Sequence, residues 1–166
     1  MPNKHTFLIK PIRKLIFKYG GDFKGWIDPF AGENSPAEIT NDLNPEKHTN
    51  YHLEAKNFAE ILNDKYYGCL FDPPYSTRQT MEIYNSIGLK FQQKNSQECV
   101  HFGIVKDIIS NKIINGGIVI SFGWNSSGFG KNRGFKIIEI LLVNHGGNGH
   151  NDTICTVERK IQDKLF

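Results

Sequence analysis

The sequence predicts an α/β fold: a mainly parallel, twisted sheet covered by helices on both faces, with an antiparallel hairpin at its C-terminal edge. Three observations carry this. Apolar strand-like runs alternate with amphipathic helical stretches, the order that builds a parallel sheet. One run, "GGIVISFGWN", is continuously apolar, as a strand buried on both faces must be. The last two runs, "FKIIEILLVNH" and "DTICTVERK", are joined by the short glycine-rich "GGNGHN", which favours a hairpin.

Each element has a local reason. Pro11 suits the first turn of a helix whose Ile12, Leu15, Ile16 and Tyr19 share one face, and Gly20 and Gly21 stop it. A short strand "GWIDPF" and a turn-rich "AGENSP" come next. "AEITNDLNP" and "YHLEA" then read as second and third strands, the former ended by proline. The stretch "KNFAEILND" reads as a short helix leading to the strand "YYGCLFD". Ser76 or Thr77 is placed to cap a helix through "RQTMEIYNSIG", which Gly88 ends. "LKFQQKNSQE" is a polar loop, and Val100, Ile104 and Ile108, with Val105 and Ile109, form the apolar face of another helix. "SSGFGKNRG" is a glycine-rich loop before the final hairpin.

The connection between the first two strands is the irregular point. It holds only about seven residues, whereas a parallel crossover normally takes about a dozen or more, usually as a helix. A helix at that place must be reduced to a turn.

At 166 residues the chain is most economically one domain over 1–166, large enough for a real core. Hydrophobic residues at 39% and charged residues at 22% exclude a disordered or membrane class. The formal charge of +3 permits a polyanionic partner without demanding one. The longest apolar runs fall short of a bilayer span, so no membrane partner is expected. Proline and arginine interrupt the basic N-terminal stretch, and no small-residue cleavage site comes after it, which argues against a signal peptide. Cys69, Cys99 and Cys155 are odd in number and lack metal-ligand spacing, so they read as reduced thiols in a cytoplasmic protein.

In open α/β sheets the ligand crevice lies beyond the carboxyl ends of the strands. That rule gathers Asp28 to Gly32, Asp42, Glu54, Asp72 to Tyr75, Trp124 with Asn125, and the segment 145–151 along one edge. Any one of the acids alone is better explained as a helix cap or turn residue. What changes the balance is "LFDPPYS" at residues 70–76. Two successive prolines cannot donate to a ladder and each restricts the residue before it, so the strand ends in a stiff corner that fixes a carboxylate and an aromatic ring.

"DPFAG" followed by an acidic strand tip and then "DPPY" resembles the motif set of the amino-group DNA methyltransferases that use S-adenosylmethionine. With "GGIVISFGWNSSGFGKNRGF" and "HNDTICTVERK", the pattern is similar to a compact adenine-specific group common in phages and mobile elements, and covers roughly residues 10 to 160. The resemblance implies a Rossmann-like methyltransferase domain and methyl transfer from S-adenosylmethionine to the N6 amine of adenine in DNA, without a metal. It implies that Asp72 and the Pro73 carbonyl accept the two amine hydrogens, turning the nitrogen lone pair toward the methyl, with Pro74 holding the corner. It also implies that Tyr75 stacks on the flipped base.

The cofactor side carried over by the resemblance comprises Lys10, Pro11, Asp28, Pro29, Phe30, Ala31, Gly32, Asp42, Leu43, Glu54, Ala55 and Asp72. Asp28 stands at the methionine end, Phe30 and Gly32 at the wall, Asp42 at the ribose hydroxyls and Glu54 at the adenine side. Lys10 and Pro11 match the start of a helix covering the methionine end.

Weaker expectations concern the nucleic acid. Tyr75, Ser76, Trp124 and Asn125 are candidates for the base pocket, although a tryptophan there is as readily core packing. Arg78, Lys131 and Arg133 are candidates for phosphate contact, although basic loop residues are usually solvated surface. His145, His150 and Asp152 are too little for a metal site. No gap holds a separate target-recognition domain, so recognition is expected to be minimal, supplied by a partner or a second copy in a homodimer, or built from the loops at 76–98 and 125–134. An RNA amine methyltransferase is the alternative, since looped bases need little recognition machinery. A silent scaffold is a third reading, against which the intact "DPPY" stands.

Overall fold

The structure is a computed structural model that describes residues 5–89, 102–145 and 151–162. Cys99, Val100, His150 and nearly all of the expected loop at 89–98 and of the "GGNGHN" connection lie outside the described residues.

Among the described residues the α-helices and strands are, in order, α1 (Lys10–Gly20), β1 (Trp26–Asp28), β2 (Ile39–Thr40), α2 (Ala55–Ile61), β3 (Tyr66–Phe71), α3 (Thr77–Ser86), α4 (Gly103–Lys112), β4 (Ile113–Gly123), β5 (Phe135–Val143) and β6 (Thr153–Lys160). The strands form one sheet in the order β2-β1-β3-β4-β6-β5. β2, β1, β3 and β4 pair in parallel. β6 runs antiparallel between β4 and β5, which places the expected C-terminal hairpin at the sheet edge. This is the mixed α/β architecture that the alternation of apolar runs predicts.

Each face of the sheet carries its own core. On one face α1 buries Ile12, Leu15 and Ile16 against Leu70, Ile120 and Val157. On the other, Phe58 of α2 and Val105 and Ile109 of α4 cover Ile27, Cys69 and Val119. Cys69 and Cys155 are buried free thiols, one in each core. Burial at these positions, on the order of 25 cal/mol per Å² of apolar surface, holds the layers together.

Two expectations change. "YHLEA" is not a strand: Tyr51 makes one isolated bridge to Asn41. The reason is the buried Asn41 side chain, whose Nδ2 donates to the Pro29 and Leu53 carbonyls while its Oδ1 accepts from the Leu53 amide. A side-chain amide thus satisfies backbone groups that a ladder otherwise would. The second change concerns α4, whose buried residues centre on Val105 and Ile109 while Ile104 is exposed.

The connection from β1 to β2, residues 29–38, contains turns and no helix. The reduction of the crossover helix to turns, read from the sequence, is therefore real, although the connection is longer than the about seven residues expected because β1 and β2 are shorter than their apolar runs. Asp28 holds it: Oδ1 accepts from the Phe30 amide at 2.9 Å and Oδ2 from the Ser35 hydroxyl at 2.6 Å. No helix among the described residues is long and apolar enough to cross a membrane.

Candidate active site

β3 ends at Phe71, and the prolines at 73 and 74 prevent the ladder from continuing. The corner beyond the strand is braced from both sides. The Tyr75 amide donates to Gln79 Oε1 at 2.7 Å, and Ser76 caps α3 by accepting from the Gln79 amide. The Tyr75 hydroxyl donates to Asp72 Oδ1 at 2.6 Å. Asp72 is only 6% exposed. Burial pushes its carboxyl up to about 6, against the opposing pull of hydrogen bonds from Tyr75 and Thr6. The Tyr75 phenol is itself raised, by burial first and then by the adjacent Asp72 charge.

Two clefts meet at this corner and share Pro74 and Phe102 as walls. The larger, about 210 Å³, is lined by Pro29, Phe30, Ala31, Gly32, Asp42, Leu43, Glu54, Ala55, Asp72 and Pro74. These residues come from the tips of β1, β2 and β3 and the start of α2. Gly32 has a φ of +59°, and no heavy atom lies within 4 Å of where a Cβ would stand, so its backbone opens onto free space. Asp42 accepts from the Gly32 amide through Oδ2 and from the Asn44 amide through Oδ1. Each oxygen keeps a second lone pair for a ligand hydroxyl. Glu54 precedes α2 and accepts from the Tyr84 hydroxyl at 2.6 Å.

The smaller cleft, about 130 Å³, brings together Pro73, Tyr75, Trp124 and Asn125, with Lys106 and Ser121 on its walls. The Tyr75 and Trp124 rings meet edge to face at 5.7 Å. Trp124 is 41% exposed, which sets aside the core-packing explanation for it. The glycine-rich loop over this cleft is tied down from below. Glu158 accepts from the Phe129 and Gly130 amides, and Lys106 Nζ donates to the Gly128 carbonyl at 2.6 Å.

Several candidates lie elsewhere. Asp28 is fully buried behind the loop it braces and lines neither cleft. Loss of solvation pushes its carboxyl up to about 7 despite the bonds from Ser35 and Phe30. Lys10 and Pro11 are exposed at the start of α1, and the residues that reach the larger cleft are Thr6 and Phe7 just before them. Ser76 serves as the α3 cap rather than as a wall. Arg78 is exposed and pairs with Glu82 at 2.8 Å. Arg133 is committed to the fold: its guanidinium reaches Asp107 at 3.0 Å and the Phe129 carbonyl at 2.9 Å. Lys131 is exposed in the short turn before β5.

His145 Nε2 lies 2.9 Å from Thr153 Oγ1, and its amide donates to Asp152. No group of three or more His, Cys, Asp or Glu residues among the described residues is arranged to hold a metal.

Among the lining residues the sequence reading missed are Thr6, Phe7, Thr80, Ile83, Tyr84 and Phe102 on the larger cleft and Lys106 and Ser121 on the smaller. A signal existed for one set: Thr80, Ile83 and Tyr84 are spaced to share one face of α3, the helix after the corner. The others come together only through the fold.

Solved structures share this architecture. TrmN from Thermus thermophilus superposes with a TM-score of 0.56 at 12% identity, covering 90% of this chain and 48% of that one. NSun6 from Pyrococcus horikoshii, crystallised with SFG, gives 0.53 at 14% identity, over 83% of this chain and 48% of that one. The N-methyltransferase NodS from Bradyrhizobium japonicum WM9 gives 0.58 at 8% identity, over 94% and 97%. The chain has the Rossmann-like methyltransferase fold. It spans about half the length of the first two structures, and at these identities the likeness is one of fold. No protein-family model and no curated protein sequence matches the chain.

Proposed function

We propose that the protein transfers a methyl group from S-adenosylmethionine to an exocyclic amine of a nucleobase, the N6 amine of adenine in DNA, within the cytoplasm. The observation that carries this is the position of the diproline corner. Asp72 lines the larger cleft, Pro73 and Tyr75 line the smaller, and Pro74 walls both. Two adjacent residues, Asp72 and Pro73, thus line two clefts that share Pro74 and Phe102, which supports this reading.

The larger cleft fits the cofactor by its chemistry. Asp42 is placed to accept from a ribose diol. Glu54 offers an acceptor at the far end, and the open backbone at Gly32 admits close approach. S-adenosylmethionine, when bound, supplies a methyl on a positively charged sulfur. The residues of this chain do the rest. Asp72, as a carboxylate, accepts one amine hydrogen and the Pro73 carbonyl the other, which draws the nitrogen lone pair out of conjugation with the ring. The stiffness of two consecutive prolines holds both oxygens in place without reorganisation during the step. Tyr75 and Trp124 flank the ring-sized cleft and suit stacking on a base removed from its helix. Target recognition is assigned to the loop at 125–134 beside this cleft, or to a partner or a second copy of the chain.

The test is label transfer. Radiolabelled S-adenosylmethionine is incubated with duplex DNA, single-stranded DNA and RNA, and the labelled nucleoside is identified. Label is expected on adenine in DNA and lost in Asp72→Ala. Label confined to RNA moves the substrate to that class, and absence of any nucleoside label removes the assignment.

A further inference from the structure

Ser121 lies on β4 and Thr156 lies directly opposite it on β6. Both side chains are buried, and neither hydroxyl has a hydrogen-bond partner among the described residues. Two neighbouring buried hydroxyls without partners are unusual, because a polar atom removed from water is normally satisfied. Ser121 also lines the smaller cleft.

Lys106 lines the same cleft from α4. Its ammonium lies 5.5 Å from the Phe71 ring centre and 5.9 Å from that of Phe129, and one of its three donors is used on the Gly128 carbonyl. A half-buried lysine beside aromatic rings is an expensive way to hold one carbonyl.

We infer that Lys106 and Ser121 are the donors that recognise the ring nitrogens of the target base in the smaller cleft, making them specificity determinants. This rests on the function proposed above and goes beyond it. The proposed chemistry accounts for the exocyclic amine, whose hydrogens go to Asp72 and Pro73. It leaves the ring nitrogens of adenine, which are acceptors only, in need of donors. Lys106 is a donor without acceptor capacity, and the Ser121 hydroxyl donates readily once an acceptor is offered. Guanine, which carries a hydrogen on the ring nitrogen beside its exocyclic group, does not satisfy a donor at that place.

The experiment deletes atoms on both sides. Label transfer is measured for the wild type, Ser121→Ala and Lys106→Met on oligonucleotides carrying adenine, 1-deazaadenine, 3-deazaadenine or 7-deazaadenine. Thermal unfolding of each variant is measured alongside. The wild type is expected to lose activity on at least one deaza base. Ser121→Ala is expected to lower kcat/KM on adenine by roughly three- to tenfold, and Lys106→Met by about tenfold or more. In at least one variant the penalty for a particular deaza base should disappear. Ser121→Ala has no internal hydrogen bond to lose, so a purely structural hydroxyl predicts unchanged transfer. It also keeps the test available should Lys106→Met fail to fold. Unchanged activity in Ser121→Ala, as expected if a trapped water satisfies that hydroxyl, overturns the inference. So do deaza penalties that persist undiminished in every folded variant. Absence of adenine label from the wild type removes the proposed function, and this inference with it.

Discussion

The Tyr75 hydroxyl donates to Asp72 Oδ1 at 2.6 Å, so the ring and the carboxylate of the corner act as one unit. Under the proposed function Asp72 accepts an amine hydrogen best as a carboxylate, and burial pushes its carboxyl up to about 6. Activity is therefore expected to fall as pH drops through about 6. Tyr75→Phe removes a bond that favours the ionised form, so the carboxyl rises and the acid limb of kcat/KM moves to higher pH by about one unit. Tyr75→Ala should also lose stacking, at roughly tenfold or more in kcat/KM. A pH–rate profile of the three proteins decides it. An acid limb unmoved in Tyr75→Phe argues that the hydroxyl does not serve Asp72.

Asp28 gives a stability prediction of the less common sign for a carboxylate. Its folded value, about 7, lies above its ordinary value of 3.8 because burial dominates. The folded state therefore binds the extra proton. Its contribution to stability is fully present below about pH 4 and is lost as pH rises through about 7. Asp28→Asn removes that dependence, so the unfolding free energy of the variant relative to wild type should grow between about pH 4 and 7 and level off above. The slope approaches about 1.4 kcal/mol per pH unit at most. Denaturant melts at three pH values measure it, and parallel curves count against the assignment.

Tyr84 and Glu54 link α3 to the start of α2 across the larger cleft. Tyr84→Phe keeps the ring and removes the hydroxyl, leaving Glu54 less well oriented. The expected result is a Kd for S-adenosylmethionine weakened by roughly three- to tenfold, with kcat little changed at saturation. Calorimetric titration tests this, and a lower kcat with unchanged affinity points to the corner instead.

Arg133 and Lys131 stand two residues apart and should behave differently. Arg133 is bonded to Asp107 and to the Phe129 carbonyl, so Arg133→Ala is expected to lower Tm. Truncating a partly buried, charge-assisted network costs about 1.5 to 3 kcal/mol. Lys131 is exposed, so Lys131→Ala should leave Tm unchanged. If Lys131 meets a phosphate, the salt slope of duplex binding drops by about 0.9. The two readouts together assign each side chain.

Apart from "YHLEA", the order of the described elements, the terminal hairpin, the shortened first crossover and the stiff corner at 72–75 are legible without coordinates. Each arises from chemistry confined to a few neighbouring residues: periodicity of apolar side chains, a glycine-rich connection, a segment too short for a helix, and prolines that lack a backbone donor. The same local rules misjudge "YHLEA". Nothing in that segment shows that the Asn41 side chain, from another part of the chain, satisfies its backbone.

The sequence by itself determined that the strand before Asp72 ends there, in a stiff corner that carries a carboxylate. Tertiary structure alone decided which acids open to a cleft. Asp28 and Asp42 both sit at strand tips, yet one is sealed beneath its own loop and the other faces the larger cleft. It also decided that Lys106 of α4 and Ser121 of β4 share a wall with Tyr75. Backbone constraints act between neighbours in the chain, whereas burial and convergence depend on which elements the sheet order brings side by side.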